Sequence, residues 1–323
     1  MDLILSSAGG VEERFVTDTL DMDLGQTNDF QLTVSYGTWQ GDLTDGKRIY
    51  VPDTEYGGII KTIKTATNTD QIFASGFTWR GYLAKRIIIP PAGQDYYIAN
   101  GELNQIISDL VQIPSFIVAD ASTGINIRYQ FKRYCTVLDG LTDMLASVGY
   151  RLKIEYKQTD LSGYVVLSAV PAYVYNDELS QDSGINFFSE DYKQGVNHLI
   201  CLGIGELKDR VVVHLYADKN GNISQHQTMA GINEIVSVFE SPSSDREQLI
   251  EQATDRFKTL LSYKSFTANL NNNTLPELGI GDSITGRDYI TGMVVSKPIV
   301  DKVIKIENGM FSAQYKIKGE NDK

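Results

Sequence analysis

The hydrophobic period changes twice along the chain, and that limits the folds open to it. Near the start, Phe30, Leu32, Val34 and Tyr36 alternate with Gln31, Thr33 and Ser35. This is the period-2 pattern of a half-buried strand. A Thr44-Asp-Gly turn leads into Gly46–Pro52, and Ile59, Ile60, Ile63, Ile72, Phe73, Phe77 and Trp79 supply further strands around the polar Thr67–Asp70 stretch. Short strands at such spacing predict a barrel or a sandwich.

The middle switches to a helical period. Leu103, Ile106, Ile107, Leu110 and Val111 form one helical stripe, with Asn100 as its candidate cap and Pro114 just beyond its end. A second stripe, Leu138, Leu141, Leu145 and Val148, starts from Thr136, with Asp139 completing a weak capping box and Gly149 closing it. Strands are expected over 151–156 and 164–170, ending at Pro171. After that the period returns to two. Strands are expected over 199–202, 211–216 and 234–239, with a hairpin turn at Asp218–Asn222. Ser244 and Glu247 then open a helix through Leu249, Ile250, Ala253, Phe257, Leu260 and Leu261. Asn308-Gly309 is the strongest hairpin signal, between Val303–Glu307 and Met310–Ile317. The order β, α+β, β with one helix gives three parts: 1–90, 91–185 and 186–323.

Charge narrows the function classes. The chain has 41 acidic residues against 29 Lys and Arg, a formal net charge of −12. That is unsuited to gripping phosphate or an anionic membrane. The most basic stretch, Arg128–Arg133 with Tyr129, Phe131 and Tyr134, is short and alternates like an ordinary strand. Two cysteines, Cys135 and Cys201, make no disulfide framework and fit synthesis in a reducing compartment. The N-terminus does not read as a signal peptide, and no run approaches the ~20 apolar residues of a membrane span.

Motifs of chemistry are weak throughout. His198 and Cys201 are three apart, so on a strand they point to opposite faces and do not share an ion. Cys201 lies in an apolar strand that keeps a thiol protonated. Gly203-Ile-Gly205 lacks the third glycine and the helix of a dinucleotide loop. Asp218-Lys-Asn-Gly places its glycine too early for a calcium loop. Asn271–Thr274 and Gly279–Ser283 read as a loop feeding a tight turn. No catalytic, cofactor-binding or metal residue is singled out, and no cofactor is expected. Trp39, Trp79 and the 18 tyrosines leave open a second class, a wall-carbohydrate hydrolase or binding module, although packing is their more ordinary role.

Several blocks, taken in order, resemble a known family. Ser75–Pro90 (SGFTWRGYLAKRIIIP) is similar to the "G-x-x-W/L … L-x-x-R-x-x-x-P" block of siphophage tail-hub proteins. Asn186–Asp191 is similar to the family's short "F-S" segment. Asn197–Glu206 with Arg210 is similar to its "N-x-x-x-x-x-G-x-G-E … R" strand pair, and Gly231–Glu234 to the "G-x-x-E" that follows. Leu278–Ser283 is similar to its closing "L-x-x-G-D-x-V", with Ile284 in place of the valine. The resemblance implies a non-enzymatic baseplate-hub protein of a phage tail or tail-like particle, made in the bacterial cytoplasm. It implies a homotrimer in which each chain gives two tube-like β-barrels, the second with one flanking helix near 244–261, around a peripheral α+β insertion. The pseudo-sixfold ring would close the distal tail tube, meet a tail-tube or distal-tail ring and a tip or spike protein, and pass phage DNA through its lumen without binding it specifically. Relatives often carry a hydrolase or fibre extension, and the chain, stopping at Lys323, is expected to lack one.

Overall fold

A computed structural model describes residues 1–66, 68–179, 186–270, 278–292, 294–307 and 309–317. The chain is mainly β with several sheets and four helices among the described residues, as the alternating periods predict. It divides into two compact units: Met1–Asp177 with Ala268–Ile284 and Pro298–Lys316, and Glu178–Thr267 with Thr285–Lys297 and Ile317–Lys323.

In the first unit, antiparallel strands Thr19–Leu24, Asp29–Ser35, Gln71–Phe77 and Thr62–Ala66 lie side by side in that order. Strand Asp29–Ser35 buries Phe30, Leu32 and Val34 and exposes Asp29, Gln31 and Ser35, so the predicted alternation sets its register. Tyr36 falls just outside it and is exposed. Late residues join this early sheet, because Lys302–Ile306 pair antiparallel with Leu20–Leu24. A smaller sheet orders Glu12–Val16, Leu3–Ser6, Arg48–Tyr50 and Gly57–Ile59.

The sequence reading placed Trp79 on a strand, whereas the structure starts helix α1 (Trp79–Ala84) there. The Thr78 hydroxyl accepts the Gly81 N–H at 3.2 Å and donates to the Asn28 carbonyl at 3.0 Å. Six residues are too few to show a helical period, which hid α1 in the pattern. Helix α2 (Leu103–Leu110) carries the expected stripe, but its cap is Glu102, not Asn100. Asn100 sits instead in strand Ile98–Glu102, paired with Asn126–Gln130. Glu102 accepts N–H groups from Asn104 and Gln105 at 2.8 and 3.1 Å, and its other oxygen takes the N–H and hydroxyl of Thr123. Burial pushes this carboxyl up, but those hydrogen bonds outweigh it and hold it below the ordinary value. Helix α3 (Val137–Ala146) is capped by Thr136 as predicted, and Gly149 beyond it takes a φ of +74°. Strands Tyr150–Gln158 and Gly163–Pro171 form a hairpin, with Phe116–Val118 parallel to the second. One core joins Ile4, Tyr50 and Trp79 to the stripes of α2 and α3 and to Leu152, Ile154 and Leu167.

In the second unit, a four-stranded sheet orders Ile223–Ser224, Val212–Ala217, His198–Leu202 and Val236–Glu240, the last two parallel. Helix α4 (Arg246–Lys258) covers one face, packing Leu249, Ala253 and Phe257 on Leu199, Cys201, Val213 and Leu215. Its cap is Asp245, one residue after the predicted Ser244, and it accepts the N–H groups of Glu247 and Gln248 at 3.0 Å each. Ser244 is buried and bonds Ser241 and Gln252 instead. The Asp218 turn is as predicted, its carboxylate taking the N–H groups of Asn220 and Asn222. Asn271–Thr274 and Asn308 lie outside the described residues. Gly309, with a φ of +75°, and the strands Val294–Glu307 and Met310–Ile317 stand where the last hairpin was expected.

Candidate functional site

Among the described residues, each unit holds a polar network of interest, and the two differ in kind. The first unit has a cleft of about 240 Å³ lined by Asp53, Glu55, Arg80, Arg151, Lys153, Glu155 and Lys302. Helix α1 carries Arg80 inward, where its Nε meets Glu55 Oε2 at 2.7 Å with both side chains nearly buried. The hairpin strand carries Arg151, whose Nε meets Asp282 Oδ1 at 2.6 Å. Asp282 also accepts the Tyr173 N–H at 2.8 Å and, on its other oxygen, the Gly279 N–H at 2.7 Å. Lys302 is buried on a strand, donates to the Tyr56 hydroxyl and to the Leu278 carbonyl at 3.0 Å, and lies 4.8 and 5.2 Å from the ring centres of Tyr56 and Tyr315.

This arrangement gives the Leu278–Ser283 block a physical reason. Gly281 has a φ of +96°, and a Cβ there would stand 2.8 Å from Arg151 Cβ. Backbone conformation and close approach both demand glycine. Asp282 then ties the turn to Arg151. The charged side chains of this cleft are arranged in pairs. Asp53 pairs with Lys157, Glu55 with Arg80, Glu155 with Lys153 and Asp282 with Arg151. Each of these carboxylates faces a cation.

The second unit's network lies on the sheet face opposite α4. His198 Nδ1 is 2.7 Å from Glu234 Oε1, and its Nε2 is 2.8 Å from His214 Nδ1. The His198 ring stacks on Tyr216 at 4.4 Å. The sequence reading weighed His198 only beside Cys201; the structure brings it to His214 instead. His198 stands opposite Tyr216 and Ile200 opposite His214 in the ladder, which makes the histidines diagonal neighbours. Only the pairing register reveals this, and the sequence does not carry it. No group of three His, Cys, Asp or Glu side chains suited to a metal ion occurs among the described residues.

The other candidates fall into ordinary places. Cys201 is buried against α4, and burial pushes its thiol up to about 11. Cys135 is half-buried, and burial raises its thiol as well. Gly205, with a φ of +103°, leads into a short turn at Leu207–Asp209 and not into a phosphate-binding helix. Trp79 is 1% exposed and stacks on Tyr156 at 5.0 Å, so it offers no sugar platform; Trp39 is half-buried. Of the basic stretch, Arg128–Gln130 lie on strand Asn126–Gln130, whereas Phe131–Tyr134 fall beyond it, ending in a turn. No helix among the described residues is long and apolar enough to cross a membrane.

No family model matches the chain, and no curated protein matches it in sequence. Solved structures do share its fold. The 43 kDa tail protein of prophage MuSo2 from Shewanella oneidensis is 13% identical, with 98% of each chain covered and a TM-score of 0.56. A tail protein from Neisseria meningitidis MC58 is 14% identical over 98% of this chain and 96% of its own, with a TM-score of 0.51. A chain of the phage P2 baseplate in its activated conformation is 9% identical over 100% and 99%, with a TM-score of 0.52. At these identities the likeness is one of fold, and it runs end to end.

Proposed function

We propose that this chain is a structural hub protein of a phage tail or phage-tail-like particle. The observation that carries the reading is a fold shared along 98% of both chains with a prophage tail protein. The order of the sequence blocks supports it, and so does the pairing of the cleft carboxylates. In this reading residues 1–90 and 186–323 supply two tube-like β-barrel domains and 91–185 a peripheral insertion. Three chains form a pseudo-sixfold ring that closes the distal tube and links it to a tip or spike. Two similar interfaces per chain are what such a ring needs. The hub is non-enzymatic and resides in the virion tail.

The acidity then has a use. Three copies triple the −12 of one chain, and carboxylates facing a channel repel phosphate. DNA would slide through without being held. Native mass measurement and a density map of the assembled particle test the reading. A trimer with a barrel pair per chain and a net negative lumen is expected. A map without a barrel pair overturns it, and a lumen lined mainly by Lys and Arg overturns the electrostatic part. Reproducible peptidoglycan release, lost on changing one Asp or Glu, would instead favour the carbohydrate-active reading.

A further inference from the structure

We propose that the cleft of the first unit is an oxyanion site, in which the outer edge of the Arg151 guanidinium grips a carboxylate or phosphate group and Lys153 adds its charge. Strand Tyr150–Gln158 sets the wall of the cleft. It buries Leu152, Ile154 and Tyr156, so Arg151, Lys153, Glu155 and Lys157 share its other face. That face carries three cations and one carboxylate. Glu155 is engaged by Lys153 Nζ at 3.0 Å and by Lys157 Nζ at 3.7 Å. In a chain of net charge −12, this row is a local excess of positive charge, and Arg151, Lys153 and Glu155 line the cleft.

Arg151 is anchored on one side only. Its Nε meets Asp282 Oδ1 at 2.6 Å, while the second Asp282 oxygen accepts the Gly279 N–H at 2.7 Å. The ion pair is therefore single-pronged, and neither Nη atom of Arg151 meets an acceptor among the described residues. The Nη1–Nη2 edge of a guanidinium presents two parallel N–H groups at the spacing of two carboxylate or phosphate oxygens. Glycine places this fork. A Cβ on Gly279 would stand 2.6 Å from Arg151 Nη1 and 3.2 Å from Nη2, and Gly279 lines the same cleft. Asp282 holds the Nε side, so the fork is set before a ligand arrives and little side-chain freedom is lost on binding. The side chain is 18% exposed, which admits a ligand and still shields the new ion pair from water.

The rest of the lining agrees. Arg80 gives its Nε to Glu55 and reaches the Leu152 carbonyl from Nη2 at 3.4 Å; its Nη1 meets no acceptor among the described residues. Asp53, Glu55 and Glu155 also line the cleft, and each faces a cation, so an arriving anion meets carboxylates that are already compensated. A volume of about 240 Å³ lies below the roughly 300–1,000 Å³ of pockets for drug-sized molecules. It suits one acidic group, either the side chain of an acidic protein segment or free phosphate.

Titration calorimetry of the full chain tests the site, with inorganic phosphate and a hexaglutamate peptide as separate probes at constant ionic strength. Saturable binding of at least one is expected. A peptide at least about tenfold tighter than phosphate assigns the site to an acidic protein segment, and the reverse order assigns it to a free anion. Arg151→Lys keeps the charge but lacks the fork, and should weaken binding at least about tenfold. Lys153→Gln changes a side chain 42% exposed and should weaken it about threefold; it carries the test if Arg151→Lys does not fold. Lys258→Gln, on α4 of the second unit, removes the same charge and should change nothing. No binding of either probe at about 10 mM, ten times a millimolar Kd, overturns the site. So does binding that Arg151→Lys and Lys153→Gln leave unchanged, or that Lys258→Gln weakens equally.

Discussion

The two units cover their sheets with different materials. The first buries Arg48, Arg80, Asp282 and Lys302 and makes some of them into a paired seam. The second packs α4 on its sheet with aliphatic and aromatic side chains, and on the other face it keeps Val212, Val236 and Val238 open beside the histidine pair. Buried ion pairs gain little net stability but are costly to break singly, because a lone charge is left behind. Apolar packing loses stability in proportion to the atoms removed. The first unit should therefore fail abruptly at single polar positions and the second by degrees.

The sharpest way to break this contrast is Asp282→Ala. It strands Arg151 and frees two N–H groups, so a loss of about 3–5 kcal/mol is expected by urea unfolding read on the first unit. The double change Asp282→Ala with Arg151→Met should recover part of that loss. If the single change costs under about 1 kcal/mol, the seam is not what holds the turn. Leu249→Ala, on the fully buried face of α4, should cost about 2–5 kcal/mol, set by the cavity left behind. A similar apolar truncation in the first unit costing far more than this would blur the contrast. Asp245→Ala removes only the cap of α4 and should cost about 1 kcal/mol, visible as earlier exchange of the first helical turn.

The smallest effect is electrostatic. The hydrogen bond from Arg14 holds the Asp42 carboxyl below its ordinary value, against the opposing effect of burial. A carboxyl depressed in the folded state contributes stability above its unfolded value, about 3.9, and loses it as pH falls through the folded value. Arg14→Ala should flatten that acid dependence, with a change of about 1 kcal/mol or less at neutral pH. An unchanged acid slope in the variant would assign the dependence elsewhere.

What the sequence revealed and what it hid follow from range. Thr136, the stripes of α2 and α3 and the alternation of Phe30, Leu32 and Val34 are local, and each was readable. Helix α1 was too short to show its period, and Asn100 lost the cap to Glu102 because Thr123 braces that carboxylate from 21 residues away. The polar networks were out of reach. Arg151 and Asp282 are separated by 131 positions, and the histidine pair depends on which strands align. The resemblance did mark Gly281 and Asp282, but as letters of a motif; the contact with Arg151 supplies the reason.

The pairing of Lys302–Ile306 with Leu20–Leu24 also fixes an order of events during synthesis. Strand Thr19–Leu24 leaves the ribosome long before its partner, Lys302–Ile306. Until then its outer backbone groups stand open, an edge that invites another chain. Contacts so distant in sequence close slowly. Translation that stops before residue 298 would leave the first unit incomplete, with that edge open.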